Sequence, residues 1–216
     1  VVITADAHTG SSITFNPTAT IDSDSTARSL KLDTGAGAIV LDGAIGATSS
    51  GALSSLIING PDDGEGAGDI DVANIGGSGV GVTGATVIGN TNTDDLVLDG
   101  TVYNTTGAQT YTAATGDKIL VTNSSGATIT TSDDDITFTG GNVKISEGVA
   151  SLTMTTGSGT ADRNIAIAGS IIGDDTSTGA GNTTNLSLTS GAGTIDIHAI
   201  NTDIEDVTIA GNTTLG

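Results

Sequence analysis

The chain has 216 residues with 25 acids against 5 bases, a net charge of −20, no cysteine, no tryptophan and 2% aromatic residues. The acidic excess argues against binding to nucleic acid or to an anionic membrane surface, because both need basic patches. The absence of cysteine excludes disulfides and thiol chemistry, and no apolar run is long enough to span a bilayer.

Short alternating or β-branched runs recur along the whole chain. Each is bounded by Gly, Asn, Asp or Ser, which is typical of strands separated by turns. No segment has the 3.6-residue period of an amphipathic helix, so the sequence predicts an all-β protein. In chain order the runs are SITF (12–15), SLKL (29–32), AIVL (38–41), SLIING (55–60), DIDV (69–72), DLVL (95–98), KILVT (118–122), DITF (135–138), SLTM (151–154), NIAIAG (164–169), NLSL (185–188), TIDI (194–197) and DVTIAG (206–211).

The sequence also repeats itself at an offset near 122 residues. This offset predicts one full unit at 1–123 and a partial unit at 124–216, with no linker between them. Five blocks recur in the same order: 13–37 with 136–159, 38–45 with 164–171, 55–60 with 185–190, 66–75 with 191–200, and 88–91 with 210–213.

Two architectures accommodate such a repeat. Tandem immunoglobulin-like β-sandwich modules are one, but they usually have larger, often aromatic cores. A right-handed parallel β-helix is the other, and it explains the scarce aromatics, the short strands and the glycine-rich turns together. We expect this β-solenoid, with about 20 residues a coil, about ten coils and a rod near 50 Å long.

Several motifs resemble the repeats of very large bacterial surface proteins of the filamentous-haemagglutinin-like or giant adhesin kind. The resemblance covers most of the chain, and it implies secretion, a β-helical rod, and an adhesive or matrix-forming role. It supplies no catalytic residues. The motifs are SLKLDTGAGAIVLDGAIG (29–46), TTGAQTYTA (105–113), DDITFTG (134–140) and SLTMTTGSG (151–159).

Clusters of carboxylates suggest calcium, which takes six to eight oxygen ligands that adjacent turns can supply. The alternative is that aspartate caps turns and keeps the protein soluble. The candidate calcium ligands are Asp62, Asp63, Glu65, Asp69, Asp71, Asp133, Asp134 and Asp135.

The segment GAGTIDIHAI places Asp196 and His198 on one face of a strand, as a metal site or a general-base pair would need. The repeat supplies an internal comparison, since Asp71 aligns with Asp196 but Ala73 aligns with His198. A site needed in every unit would be present in both. We therefore interpret Asp196 as an outward carboxylate and His198 as incidental, and interpret His8 in the same way.

Neither a nucleophile elbow nor a phosphate-binding loop is present, and sugar-stacking aromatics are scarce, so we expect no enzyme. We expect a structural segment of a secreted surface or extracellular fibre protein, which forms a stalk or filament. Its partner would be neighbouring repeats or identical chains. A module that binds glycans or a host protein is the alternative, and a β-helical polysaccharide-acting enzyme is a more distant one.

Overall fold

The structure is a computed structural model, and it describes residues 1–5, 10–24, 26–48, 50–60, 68–77, 79–132, 134–157, 163–174, 184–201 and 203–216. Every regular element in these ranges is a strand, and no helix that could cross a membrane is present there. The strands are β1 (Val2–Thr4), β2 (Ile13–Phe15), β3 (Ser29–Asp33), β4 (Ile39–Leu41), β5 (Ser55–Ile58), β6 (Ile70–Val72), β7 (Thr86–Ile88), β8 (Leu96–Leu98), β9 (Val102–Thr105), β10 (Gln109–Thr112), β11 (Lys118–Val121), β12 (Ala127–Thr131), β13 (Ile136–Thr139), β14 (Asn142–Ile145), β15 (Ser151–Thr155), β16 (Ile165–Gly173), β17 (Asn185–Ile200) and β18 (Asp206–Leu215).

These strands stack as a parallel β-solenoid with three faces. The first face contains β1, β3, β5, β7, β10, β13 and the segments 165–167, 194–197 and 212–215. The second face contains β2, β4, β6, β8, β11, β14 and the segments 171–173 and 199–200. The third face contains bridges at Ile21, Ile45 and Ile75, then β9, β12, β15 and the segments 185–189 and 206–210.

The expected parallel β-helix is therefore confirmed, and every strand pair in the described ranges is parallel rather than antiparallel as in a sandwich. The expected coil length was wrong. On successive rungs, most pairs of Cα partners are separated by 23 to 31 residues in the sequence. Val87 and Thr110 are 23 residues apart, and Val40 and Asp71 are 31 residues apart. The nine rungs of the first face correspond to about eight turns rather than ten, because each turn must cover three faces and the corners between them.

A continuous apolar core fills the solenoid. On the first face one inward column passes through nine rungs in register. Each side chain of the column packs against the side chain at the same position of the next rung, so the core is a stack of equivalent side chains along the axis. The column consists of Ile3, Leu32, Ile58, Ile88, Tyr111, Phe138, Ile167, Ile197 and Leu215.

Polar side chains interrupt this core near its middle. The Gln109 amide nitrogen donates to the carbonyl oxygens of Tyr103 (3.1 Å) and Thr130 (2.8 Å), and the Tyr111 hydroxyl donates to the Gln109 Oε1. The Tyr103 hydroxyl donates to the carbonyl of Val72 at 2.8 Å. Burial raises the pKa of both tyrosines, and the hydrogen bonds offset the cost of burying these polar groups.

All thirteen predicted runs coincide with strands, but the sequence did not predict β1, β7, β9, β10, β12 and β14. In several of these the inward positions are polar, such as Thr86 in β7, Gln109 in β10 and Thr131 in β12, all fully buried. Because hydrophobic alternation is what marks a strand in a sequence, a strand with threonine or glutamine pointing inward lacks that signal.

The aligned blocks of the repeat lie on different faces. Strand β2 is on the second face, whereas its counterpart β13 is on the first; β3 is on the first face, whereas β15 is on the third. The 122-residue offset is thus not a whole number of turns, and it moves each block by one face. Every face requires the same inward and outward alternation, so a block fits on any of them. The division into units 1–123 and 124–216 stays a prediction.

Candidate functional site

The structure describes four of the eight candidate calcium ligands. Asp62, Asp63, Glu65 and Asp133 lie outside the described residues. The other four candidates lie on different faces: Asp69 and Asp71 at β6 on the second face, and Asp134 and Asp135 just before β13 on the first. Within the described ranges no three histidine, aspartate or glutamate side chains come together to hold a metal. A calcium site therefore stays a prediction.

One of these candidates, Asp69, has a structural role at the corner before the second face. There, side chains at the start of three strands accept a hydrogen bond from the backbone of the next rung. Asp69 Oδ1 accepts from the Asp95 amide (3.2 Å), and Asp95 Oδ1 accepts from the Lys118 amide (3.1 Å). Two rungs later, Asn142 Oδ1 accepts from the Ser170 amide at 2.9 Å.

The same arrangement occurs at the corner before the first face. Asp135 Oδ1 accepts from the Asn164 amide at 2.7 Å, and Asn164 Oδ1 accepts from the Thr194 amide at 2.9 Å. Asp134 Oδ1 accepts from the Asp135 amide next to it in the chain. These aspartates and asparagines satisfy backbone donors where the chain turns, so the corners account for part of the acidic composition.

A prediction follows for Asn164, whose Oδ1 also accepts from the Thr194 hydroxyl at 2.8 Å. Asn164→Ala removes both bonds, and we expect the free energy of unfolding to fall by about 1 kcal/mol. Asn185 is the matched control: it also begins a rung, but its buried Oδ1 accepts no hydrogen bond from any described residue. Urea unfolding followed by circular dichroism should therefore give a smaller loss for Asn185→Ala; equal losses would contradict this role.

No family model, curated protein or solved structure matches this chain. Among the carboxylates that the structure describes, Asp71 is the one whose pKa is clearly raised.

Asp71 points outward from the middle of β6 and is half-buried. In register it lies between Val40 and Val97, while Asp42 and Asp99 lie two positions further along on the rungs below and above. Burial, followed by the negative charges of Asp99 and Asp42, raises the pKa of Asp71 to about 6. The carboxylate thus takes up a proton more readily than an ordinary aspartate.

This raised pKa predicts a pH-dependent stability. The folded state binds the Asp71 proton more tightly than the unfolded state, so the group's stabilising contribution is complete below about pH 4 and is lost as the pH rises to about 6. We expect Asp71→Asn to raise the free energy of unfolding at neutral pH by about 1 kcal/mol, after solvent screening of this half-exposed group. At about pH 4 the gain should vanish.

The control for this prediction is Asp196→Asn. This substitution also removes one negative charge from an outward residue. Asp196 aligns with Asp71 in the repeat, but its side chain is exposed. Denaturation series across the pH range would compare the two variants. A gain for Asp71→Asn that does not change with pH would contradict the assignment.

Asp196 and His198 both point outward from β17 and are exposed. They line a shallow depression of about 260 Å³ on the first face, together with small side chains such as Thr137 and Ala166. Neither makes a hydrogen bond or ion pair to another described residue. The placement agrees with an outward carboxylate on a strand; His8 lies outside the described residues.

Both ends of the solenoid expose apolar side chains. At the first rung Val1 and Val2 are 72% and 67% exposed, and at the last rung Leu215 is 63% exposed. A cleft of about 310 Å³ opens at the first rung, where apolar side chains of the core and its edge lie beside the charged side chains of Asp22, Asp24 and Arg28. The apolar side chains include Ile3, Phe15, Ile21, Leu30 and Leu53.

Proposed function

We propose that this chain is a structural repeat segment of a secreted surface or extracellular fibre protein, in which it forms a rigid stalk or filament. The observation that carries the proposal is the unbroken parallel pairing of the first face from β1 to β18. Each inner rung is bonded to the rungs on both sides, so bending the rod would require breaking backbone hydrogen bonds.

The exposed ends support stacking of further rungs. Val1 and Ile3 at one end, and Val207 and Leu215 at the other, expose apolar surface that inner rungs bury. The terminal strands also present edge amides and carbonyls, and parallel pairing can extend there. The partner that fits is another set of parallel rungs, from a neighbouring repeat or an identical chain.

The surface chemistry and the sequence resemblance support the extracellular setting. A net charge of −20 keeps neighbouring rods apart and soluble. The resemblance to large bacterial surface proteins rests on motifs that form strands of the solenoid, such as SLKL in β3 and SLTM in β15.

Electron microscopy of the source cells, with gold-labelled antibodies raised against this segment, tests the proposal. We expect the label along thin filaments or stalks outside the cell. Label confined to the cell interior, or on compact particles without filaments, would overturn it.

A further inference from the structure

The outward side of the third face carries a regular two-column arrangement of hydroxyls, here called the threonine array. One column contains Thr128, Thr153 and Ser187, which are Cα partners on three successive rungs. The other contains Thr130, Thr155 and Thr189 on the same rungs. Strand β18 extends the first column with Thr208.

The hydroxyls of the array have no hydrogen-bond partner in the part of the chain that the structure describes. Other hydroxyls in the solenoid do: Thr112 and Thr139 bond each other at 2.9 Å, and Ser190 donates to the Gly193 carbonyl at 2.9 Å. The array therefore presents donors and acceptors to whatever lies outside.

The array is also uncharged, unlike the other two faces. The outward positions of β9, β12, β15 and 185–189 carry no ionisable side chain, and the first charged outward position is Asp206 at the edge of the next rung. The first face has Lys31 and Asp196 at outward positions, and the second has Asp71 and Lys144. In a chain of net charge −20, this neutral array fits an uncharged partner that carries its own hydrogen-bonding groups.

The spacing of the array is fixed by the backbone. Rungs are about 4.8 Å apart along the axis, and the two columns are about 6.7 Å apart across it. The inward side chains Ile129, Met154 and Leu188 are fully buried and hold the rungs level. This two-dimensional repeat is close to the repeat of oxygen atoms on faces of hexagonal ice, and each threonine adds a methyl group that orders water between the columns.

Burial of the aromatic residues argues against a polysaccharide as the partner. Tyr103, Tyr111 and Phe138 point into the core, and Phe15 lies at the cleft at the first rung. The third face therefore offers no aromatic ring on which a sugar could stack. A flat lattice of water requires only hydroxyls, methyls and regular spacing.

From these observations we propose that the threonine array is an ice-binding surface. Its hydroxyls occupy positions of the ice lattice, and its methyl groups order the water between them. This activity is separate from the mechanical role of the rod, since it requires only one face.

Freezing-point hysteresis of the purified chain, together with its enrichment in a slowly growing ice crystal, tests the proposal. We expect a hysteresis gap and enrichment in ice for the wild type. The double substitution T130K/T155K places two charged, longer side chains on adjacent rungs and should remove both signals. The matched control T110K/T137K makes the same change on adjacent rungs of the first face and should retain them.

Absence of hysteresis and of ice enrichment in the folded wild type would overturn the proposal, as would equal loss in both double variants. Retention on microcrystalline cellulose without enrichment in ice would also overturn it, in favour of a polysaccharide. Circular dichroism checks folding. If T130K/T155K unfolds, T130S/T155S removes only the two methyl groups, and it should reduce the hysteresis relative to T110S/T137S.

Discussion

Phe138→Ala is expected to lower the free energy of unfolding by about 3–5 kcal/mol. Phe138 is 1% exposed, and its ring stacks on that of Tyr111 with centroids 4.8 Å apart and planes at 18°. Tyr111 in turn meets Tyr103 edge-on at 6.5 Å. Alanine would leave a cavity in the first-face column, and the neighbouring rungs cannot close it because their backbones are held in register.

Thr137→Ala is the control for this cavity. Thr137 is the preceding residue of the same strand, points outward and is half-buried, so its truncation should change stability by no more than about 0.5 kcal/mol. Urea unfolding monitored by circular dichroism measures both variants. Similar losses for the two would contradict the inward placement of Phe138.

Gly140→Ala is expected to cost about 2–4 kcal/mol, from backbone strain together with displacement of a neighbouring rung. Gly140 follows β13 with a φ of +82°, a conformation that side chains disfavour. A Cβ there would lie 1.8 Å from the carbonyl oxygen of Ala113 on the previous rung. The backbone of one rung would have to move.

Gly148→Ala separates the two causes. Gly148 has nearly the same φ, +79°, but no atom lies within 4 Å of the position its Cβ would take. It should therefore show only the conformational strain, about 1 kcal/mol. Thermal or urea unfolding measures the loss in the free energy of unfolding for both variants. Equal losses would mean that the rungs do not approach each other at Gly140 as closely as described.

The fold class could be predicted from sequence because most inward positions are apolar and most turns are marked by glycine or aspartate. Runs such as DIDV and NIAIAG alternate clearly, and each became a strand. The number of turns could not be predicted, because it depends on how much chain each corner takes, and corner lengths vary between rungs. Strands with inward Thr86 or Gln109 carried no apolar signal at those positions.

The roles of the carboxylates depended on register, which the sequence does not specify. An aspartate immediately before a strand, as in DLVL and DITF, was a visible signal for the corner bonds of Asp95 and Asp135. The surroundings of Asp71 were not visible, because Asp42 and Asp99 come close to it only when the second face stacks. The threonine array was likewise undetectable until TIT, TMT and SLT lay on successive rungs.

Distances between spin labels test the solenoid most directly, and the chain has no native cysteine to interfere. Lys31, Thr137 and Asp196 are outward positions in one column of the first face, so each can be replaced by a labelled cysteine. Lys31 and Thr137 are four rungs apart, and Lys31 and Asp196 are six. At the strand spacing the backbone separations are about 19 Å and about 29 Å. Pulsed electron–electron double resonance measures the distance between two labels. The distance for the pair at Lys31 and Asp196 should exceed that for the pair at Lys31 and Thr137 by two strand spacings, about 10 Å. Separations that do not increase with rung number, as in separate sandwich modules, would contradict a single stacked rod.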